Sequence, residues 1–124
     1  ASERCTACRS DSPSVTAEEI AELHPQVSEW QLIEEDGIRK LDRGFRVRNF
    51  RQALMLANAI GEKAEEEGHH PRLVVEWGRV RVTWWTHKIR NLHRNDFIMA
   101  ARTDQAFADL LAKGEIEQPA PRSG

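Results

Sequence analysis

The dipeptide Asp36-Gly37 places the strongest constraint on the fold of this chain. Aspartate followed by glycine is typical of a two-residue β-hairpin, because both residues tolerate the left-handed backbone that a type I′ turn requires. The run before it contains Trp30 and Leu32. In the run after it, three apolar residues share one parity, namely Leu41, Phe45 and Val47. Alternation of this kind predicts two antiparallel strands joined at residues 36–37.

A second hairpin is predicted within "LVVEWGRVRVTWW", where β-branched and aromatic residues flank Gly78-Arg79. Glycine in the first position of this two-residue turn favours type II′. Trp77 then pairs with Val80, and continuing along both strands sets His70 opposite His87. Opposed side chains in an antiparallel pair have Cβ atoms about 5 Å apart. A longer turn would shift this register.

Helix signals surround both hairpins. Thr16 and Glu19 form a capping-box pattern with Pro25 close behind, which predicts a short first helix. A second helix is predicted from Asn49 to the glycine terminator Gly68. Its apolar residues recur at helical spacing: Phe50, Ala53, Leu54, Ala57, Ile60 and Ala64.

The last helix follows His93 and carries Asp96 in its first turn, where a negative charge suits the helix dipole. Its predicted buried side consists of Phe97, Ala100, Ala101, Phe107, Ala108 and Leu111. The resulting order is helix, two strands, helix, two strands, helix. This order predicts an α+β fold in which a four-stranded antiparallel sheet carries three helices packed on one face. Exposed sheet edges or faces predict a homodimer or homotetramer.

Composition and length predict one domain of residues 15–113, between a flexible N-terminal arm of residues 1–14 and a disordered tail of residues 114–124. The net charge of −2 gives no broad field for polyanions, so no nucleic-acid partner is predicted. No apolar run approaches the roughly 20 residues of a membrane helix. The start also lacks a signal-peptide pattern, so we expect a cytoplasmic protein with no membrane partner. Cys5 and Cys8 lack the second cysteine pair of a structural zinc site.

Three of the five histidines fall within residues 69–87, and they are the candidate catalytic residues. His69 lies four residues after Glu65, so a helix persisting almost to Gly68 would set this carboxylate beside the first imidazole. The carboxylate favours a protonated ring, whereas neighbouring histidines disfavour it. The cluster is therefore expected to hold one proton donor and one acceptor near neutral pH, which general acid–base chemistry requires.

Other uses of these residues remain open from the sequence. The double histidine before a proline also fits a polar loop. Three imidazoles plus water is a catalytic zinc set, but adjacent side chains in extended backbone point to opposite faces, so we predict no metal site. The tryptophans Trp77, Trp84 and Trp85 favour sheet core, although Trp85 shares parity with His87 and so is a candidate for the same pocket. Asp96 has an ordinary use as a helix-start charge.

The string "EEEGHHPRLVVEWGRVRVTWWTHKIRNLHRNDFIMAARTD" resembles the signature of the pterin-4a-carbinolamine dehydratase family, of bacterial type. The positions that carry the resemblance are Glu65, His69, His70, Pro71, Trp77, Thr86, His87 and Asp96. The similarity extends from about Thr16 to Asp104. The leader "CTACRSDSP" also resembles the start of some bacterial members.

The resemblance implies a hydro-lyase that removes water from 4a-hydroxytetrahydrobiopterin and so recycles the pterin cofactor of an aromatic amino acid hydroxylase. It implies no metal or organic cofactor, a pterin substrate and a functional link to phenylalanine hydroxylase. As a hypothesis, His69 and His87 transfer protons at the 4a hydroxyl and His70 orients the pterin. Glu65 tunes the cluster and Asp96 supports the pocket. The remaining candidate substrate-binding residues are Pro71, Thr86 and Trp85.

Two rival functions share this fold. Animal relatives serve as dimerisation cofactors of a homeodomain transcription factor, a role that an exposed helical surface would indicate. Some proteins of similar fold are assembly chaperones for Rubisco, and those tend to lose the histidine set. This chain retains the set, so the enzyme interpretation leads.

Overall fold

The chain alternates hairpins with helices over the part that the computed structural model describes, residues 14–119. The α-helices are α1 (Ala17–Leu23), α2 (Phe50–Glu67) and α3 (Arg94–Ala112), and a 3₁₀ helix, His24–Val27, follows α1. The strands are β1 (Gln31–Glu35), β2 (Ile38–Arg46), β3 (Arg72–Glu76) and β4 (Arg79–Trp84). The predicted order and the α+β class are confirmed.

The sheet has the strand order β1-β2-β4-β3, and every neighbouring pair is antiparallel. Helices α2 and α3 pack across one of its faces, and α1 contacts α3. The side chains that β2 and β4 send to that face are fully or almost fully buried: Leu41, Phe45, Val80, Val82 and Trp84. The opposite face carries polar and charged residues instead, of which Lys40, Asp42 and Thr83 are buried while Arg46 and Arg79 meet solvent.

The first hairpin is as predicted. Glu35 pairs with Ile38, which leaves Asp36 and Gly37 as the two turn residues. Their φ angles are 52° and 77°, so both occupy the left-handed region that a type I′ turn demands.

The second hairpin turns one residue earlier than predicted. Glu76 pairs with Arg79 and Val75 with Val80, so Trp77 and Gly78 form the turn and the predicted pairing of Trp77 with Val80 is wrong. Gly78 takes the second turn position with φ 74°, as a type II turn requires, in place of the first position of type II′. The register therefore slips by two residues, which keeps each side chain on its predicted face but moves its partner.

Three of the helix ends follow their sequence signals closely. Thr16 and Glu19 form both hydrogen bonds of the capping box of α1. Asn49 caps α2, and Gly68 ends it with φ 62°. Within α2 the predicted buried positions Phe50 and Leu54 are instead 45% and 44% exposed. The buried stripe of this helix is Ala53, Leu56, Ala57, Ile60 and Ala64.

The C-terminal part of the chain is more ordered than predicted. In α3, Ala108 is exposed, while Met99, Thr103 and Ala106 are buried beside Phe97, Ala100 and Phe107. Beyond the helix, Ile116 is 1% exposed and belongs to the core. Prediction of a disordered tail from residue 114 is therefore wrong as far as residue 119. Residues 120–124, the predicted arm up to residue 13, and Cys5 and Cys8 lie outside the described residues.

The three α-helices between residues 14 and 119 are too short or too polar to cross a bilayer.

Candidate active site

His69 is a buried histidine held by a carboxylate. Its position follows from Gly68, whose left-handed backbone ends α2 and turns the chain back so that the His69 amide donates to the Ala64 carbonyl at 3.1 Å. The His69 ring is stacked on Trp84, with centroids 5.6 Å apart, and its Nε2 lies 2.6 Å from Asp96 Oδ1. Because a carboxylate only accepts, this contact fixes the proton on Nε2 of the ring.

Asp96 is fully buried and links three parts of the chain. One oxygen contacts His69, while Oδ2 accepts from the Thr86 hydroxyl at 2.8 Å and from the His93 amide at 2.9 Å. The last of these bonds belongs to the capping box at the start of α3. Asp96 therefore serves as the helix-start charge that the sequence indicated and also supports the histidine cluster.

His70 is the histidine that meets Glu65. The Glu65 carboxylate makes a short contact with His70 Nε2, and both side chains are largely exposed. The prediction that Glu65 would lie beside His69 is wrong in this respect. The helix does persist almost to Gly68, as the prediction assumed, but the left-handed backbone of this glycine breaks the helical spacing of four before His69.

His87 reaches the same place from the other side. It begins the loop after β4, and Thr86 forms an isolated β-bridge with Asn91 that closes this loop. His87 Nε2 lies 3.2 Å from the His70 carbonyl oxygen. The two residues are not cross-strand partners, because the register slip removes the predicted pairing. The ring of His87 meets the backbone of His70 instead. The two residues are therefore close, as predicted, but not through the cross-strand pairing on which the prediction was based.

Trp85 forms a platform beneath His87. The two rings are stacked, with centroids 4.4 Å apart at 26°. On the same indole lie two cations, with Lys40 Nζ 4.1 Å and Arg72 Cζ 5.6 Å from the ring centroid. Trp85 is thus a half-buried neighbour of the histidine cluster, in contrast to Trp84 in the core and Trp77, which is 73% exposed and wrongly predicted as core.

Glu35 ties the two cations together. It accepts from Lys40 at 2.9 Å and from Arg72 at 3.1 Å. These hydrogen bonds, with Lys40 first, hold the pKa of the Glu35 carboxyl below its usual value. Sequence reasoning missed this support because Lys40 and Trp85 are brought together only by the pairing of β2 with β4.

His93 is a further residue that sequence reasoning missed. It is the N-cap of α3, and its Nδ1 accepts from the Asn95 amide at 3.1 Å. Burial lowers the pKa of His93, and the nearby Asp96 carboxylate partly opposes this shift. The spacing of three between His93 and Asp96 resembles a capping box, which is the signal that marks this position.

The arrangement groups three imidazoles, since His69 and His70 are consecutive and His87 reaches the His70 carbonyl oxygen, and imidazoles suit proton transfer. Two of the rings have a carboxylate partner of their own, one buried and one exposed. Pro71 stands between the histidine pair and β3, where its missing N–H removes no ladder hydrogen bond. Within residues 14–119, no three or more His, Cys, Asp or Glu side chains are grouped in a way that could hold a metal ion.

The family model and two curated relatives that match this chain carry the same description. The family described as "Pterin 4 alpha carbinolamine dehydratase" matches residues 13–106. "Putative pterin-4-alpha-carbinolamine dehydratase 1" of Gloeobacter violaceus is 56% identical over 108 residues, which cover 87% of this chain and 93% of that protein. "Putative pterin-4-alpha-carbinolamine dehydratase" of Nitrosococcus oceani is 57% identical over 102 residues, covering 82% and 90%.

Among solved structures, this chain is similar to a protein from Brucella melitensis described as a transcriptional coactivator/pterin dehydratase. The TM-score is 0.68 at 26% identity, covering 76% of this chain and 98% of that chain.

Proposed function

The chain belongs to the pterin 4 alpha carbinolamine dehydratase family, and we propose that it removes water from a 4a-hydroxytetrahydropterin to give the quinonoid dihydropterin. In this reaction a ring-nitrogen lone pair expels the 4a hydroxyl, which leaves as water after it receives one proton. A base takes one proton from a ring N–H, so the protons balance. Both transfers suit imidazole, which gains and loses a proton near neutral pH.

The observation that carries the proposal is the grouping of three imidazoles with defined partners: His69 on Asp96, His70 on Glu65, and His87 against the His70 carbonyl oxygen. His69 acts as a base in this proposal. A carboxylate bonded to one imidazole nitrogen fixes the tautomer and stabilises the imidazolium that forms when the other nitrogen takes a proton. Asp96, buried and bonded to three groups, supports this role because its own position is fixed.

His87 donates the proton to the 4a hydroxyl. Its Nε2 faces a carbonyl oxygen, which can only accept, so Nε2 keeps a proton; the imidazolium form holds a second proton on Nδ1, and this is the proton that His87 gives to the 4a hydroxyl. Stacking on Trp85 restricts the rotation of an otherwise exposed ring. Because the ring is exposed, it can reach a substrate that enters from solvent.

His70 binds and orients the pterin. It is exposed, and the Glu65 carboxylate at its Nε2 restrains the ring, which suits a group that contacts the polar edge of the pterin. Thr86 holds Asp96, and Pro71 limits the backbone freedom of the residue before it. Trp85 offers an aromatic surface beside His87 for the flat substrate.

The test is the absorbance decay of freshly generated 4a-hydroxytetrahydropterin with and without the protein. We expect His69→Ala and His87→Ala to lower kcat by about 10²–10⁴-fold, the usual contribution of a general acid or base. His70→Ala should mainly raise KM. His24→Gln is the control, because His24 only donates to the Trp30 carbonyl. If His87→Ala kept a near wild-type kcat, its assigned role would be lost.

The biological setting is also part of the proposal. A homodimer or homotetramer in the cytoplasm and service to phenylalanine hydroxylase fit a pterin-recycling enzyme. Light scattering gives the assembly directly. Phenylalanine hydroxylase turnover at limiting pterin, with and without the dehydratase, tests the link, since recycling by this protein should sustain turnover and an inert protein should not.

A protein-binding role is the second candidate. Phe50 and Leu54 stand one turn apart on α2, and both side chains are largely exposed. Two exposed apolar residues on one helix face fit a protein contact. The double variant Phe50→Glu/Leu54→Glu separates the two functions: it should abolish any partner binding and leave dehydration by the histidines intact. Loss of dehydration without a change of assembly would count against this separation.

A further inference from the structure

Two arginines stand directly opposite each other at the end of the sheet far from the histidines. Arg46 of β2 pairs with Arg79 of β4, and both are exposed on the solvent face. Like charges in opposed positions of an antiparallel pair destabilise the sheet. Neither guanidinium has a carboxylate within ion-pair distance among residues 14–119. An anion between them would remove this repulsion.

The neighbouring arginines differ from this pair, because each has a carboxylate of its own. Arg43 pairs with Asp104, Arg48 with Glu117 and Arg81 with Asp42. Charge compensation is therefore ordinary in this region, and Arg46 and Arg79 depart from it. A chain of net charge −2 has carboxylates available for such pairing.

A cavity of about 650 Å³ opens over the arginine pair. Arginines outnumber carboxylates five to two among its lining residues, and one of the two carboxylates, Asp42, is held by Arg81 and Thr83. The other is Glu29, which is exposed. The Arg79 guanidinium lies over Gly44, where a Cβ would come within 3.4 Å of it, so the glycine leaves room for this side chain. The volume matches that of small-molecule sites, which span roughly 300–1,000 Å³.

Trp77 adds an aromatic surface to the same cavity. It occupies the turn between β3 and β4, lines the cavity, and is the most exposed large hydrophobic residue of the described chain, at 73%. An indole in a turn contributes nothing to the core. Beside cations, however, such a ring can stack on a heterocyclic base.

We propose that this cavity binds a nucleotide, with Arg46 and Arg79 on the phosphates and Trp77 against the base. The planar guanidinium fork matches phosphate oxygens in pairs. The cavity has the size of one small ligand, and the net negative charge of the whole chain disfavours a long polyanion. Arg79 begins β4 and Trp84 ends it on the side of His87, so the strand separates the two sites by about 17 Å at the usual rise of about 3.3 Å per residue.

The probes are ATP, GTP, ribose 5-phosphate and pyrophosphate, titrated by calorimetry at low salt. We expect Arg46→Gln/Arg79→Gln to weaken nucleotide binding by about tenfold or more, since two charge-assisted contacts are lost. Trp77→Leu should weaken ATP and GTP and leave ribose 5-phosphate and pyrophosphate unchanged. Arg46→Lys/Arg79→Lys, which keeps the charges and loses the forks, should fall between the wild type and the glutamine variant.

The control is Arg51→Gln/Lys113→Gln, which removes the same charge from exposed positions that do not line the cavity. It should bind nucleotide like the wild type, and thermal unfolding of each variant checks that the fold is retained. If the control variant lost as much nucleotide affinity as the glutamine variant, the effect would come from net charge alone, and the proposed site would be refuted. The absence of binding at millimolar nucleotide would also refute it, as would a single-stranded oligonucleotide that binds about a hundredfold more tightly than ATP.

Discussion

Replacement of Asp96 by asparagine tests the central contact of the proposed active site. The wild-type carboxylate accepts from His69, from the Thr86 hydroxyl and from the His93 amide, and no part of Asp96 is exposed. Asparagine keeps the shape but has one acceptor oxygen and one NH₂ donor. If the oxygen stays with Thr86 and the helix cap, the NH₂ faces Nε2 of His69. That nitrogen must then give up its proton.

The expected loss of stability follows from the three hydrogen bonds that Asp96 accepts. A hydrogen bond to a charged group contributes about 1.5–3 kcal/mol, against about 0.5–1.5 kcal/mol for a neutral one. Loss of about 1 kcal/mol at each bond lowers the free energy of unfolding by roughly 3 kcal/mol. The inverted tautomer of His69 should lower kcat by about 10²–10⁴-fold, the contribution of a general base.

Asp104→Asn is the matched control. Asp104 lies on the same helix and accepts from Trp30 Nε1 at 2.8 Å and from Arg43 at 2.6 Å, but it contacts none of the histidines. Urea unfolding and carbinolamine decay are measured on both variants. Both should lose stability, and only Asp96→Asn should lose kcat. If Asp96→Asn lost stability while keeping its kcat, the assigned role of the His69–Asp96 pair in proton transfer would be refuted.

Three further predictions concern neighbouring residues. Because burial lowers the pKa of His93, the unfolded chain binds more protons below the ordinary value of 6.5, so the free energy of unfolding should fall as pH drops through that range and stay level above it. His93→Asn, which retains a capping side chain, should flatten this dependence in urea titrations. Glu65→Gln should raise KM several-fold with little change in kcat, because its partner His70 is the proposed substrate-binding residue; an effect on kcat alone would contradict this. Trp85→Ala should lower kcat about two- to tenfold through loss of the stack on His87, worth about 0.5–1.5 kcal/mol, and Trp85→Phe should recover most of it.

The sequence predicted the fold well where local chemistry decides the geometry. The capping residues Thr16 and Asn49, the turn at Asp36-Gly37 and the terminator Gly68 all occupy their predicted places. Each of these signals acts over four residues or fewer, so the rest of the chain has little power to override it.

The second hairpin shows why the site could be predicted only in part. Hydrophobic alternation has a period of two, so a slip of two residues leaves the inward set Val80, Val82 and Trp84 unchanged. Alternation therefore cannot decide between turns at 77–78 and 78–79, and the choice made for this turn was wrong. That choice controls which residue faces His70. The proximity of His70 to His87 survived because both lie beyond the paired part of the hairpin.

The partners of the histidines depend on tertiary geometry that spacing does not contain. Glu65 has the helical spacing for His69, yet one left-handed residue transfers the contact to His70. Asp96 is 27 residues from His69 and meets it only because α3 packs beside the end of β4. Residue types in the sequence can thus identify the members of such a cluster, but they do not show which carboxylate contacts which histidine.

The partners of the histidines explain how one site combines a fixed geometry with access for a ligand. Asp96 is bonded at once to the cap of α3, to Thr86 in the loop after β4 and to His69, so the ring of His69 cannot move without disturbing the junction of helix and sheet. A base fixed in this way costs no reorganisation when it takes a proton. His70 and His87 are exposed and meet through the His70 backbone carbonyl, while a surface carboxylate holds His70, so both rings remain accessible to a ligand. A buried rigid dyad beside an exposed pair lets one cluster both hold its geometry and admit a substrate from solvent.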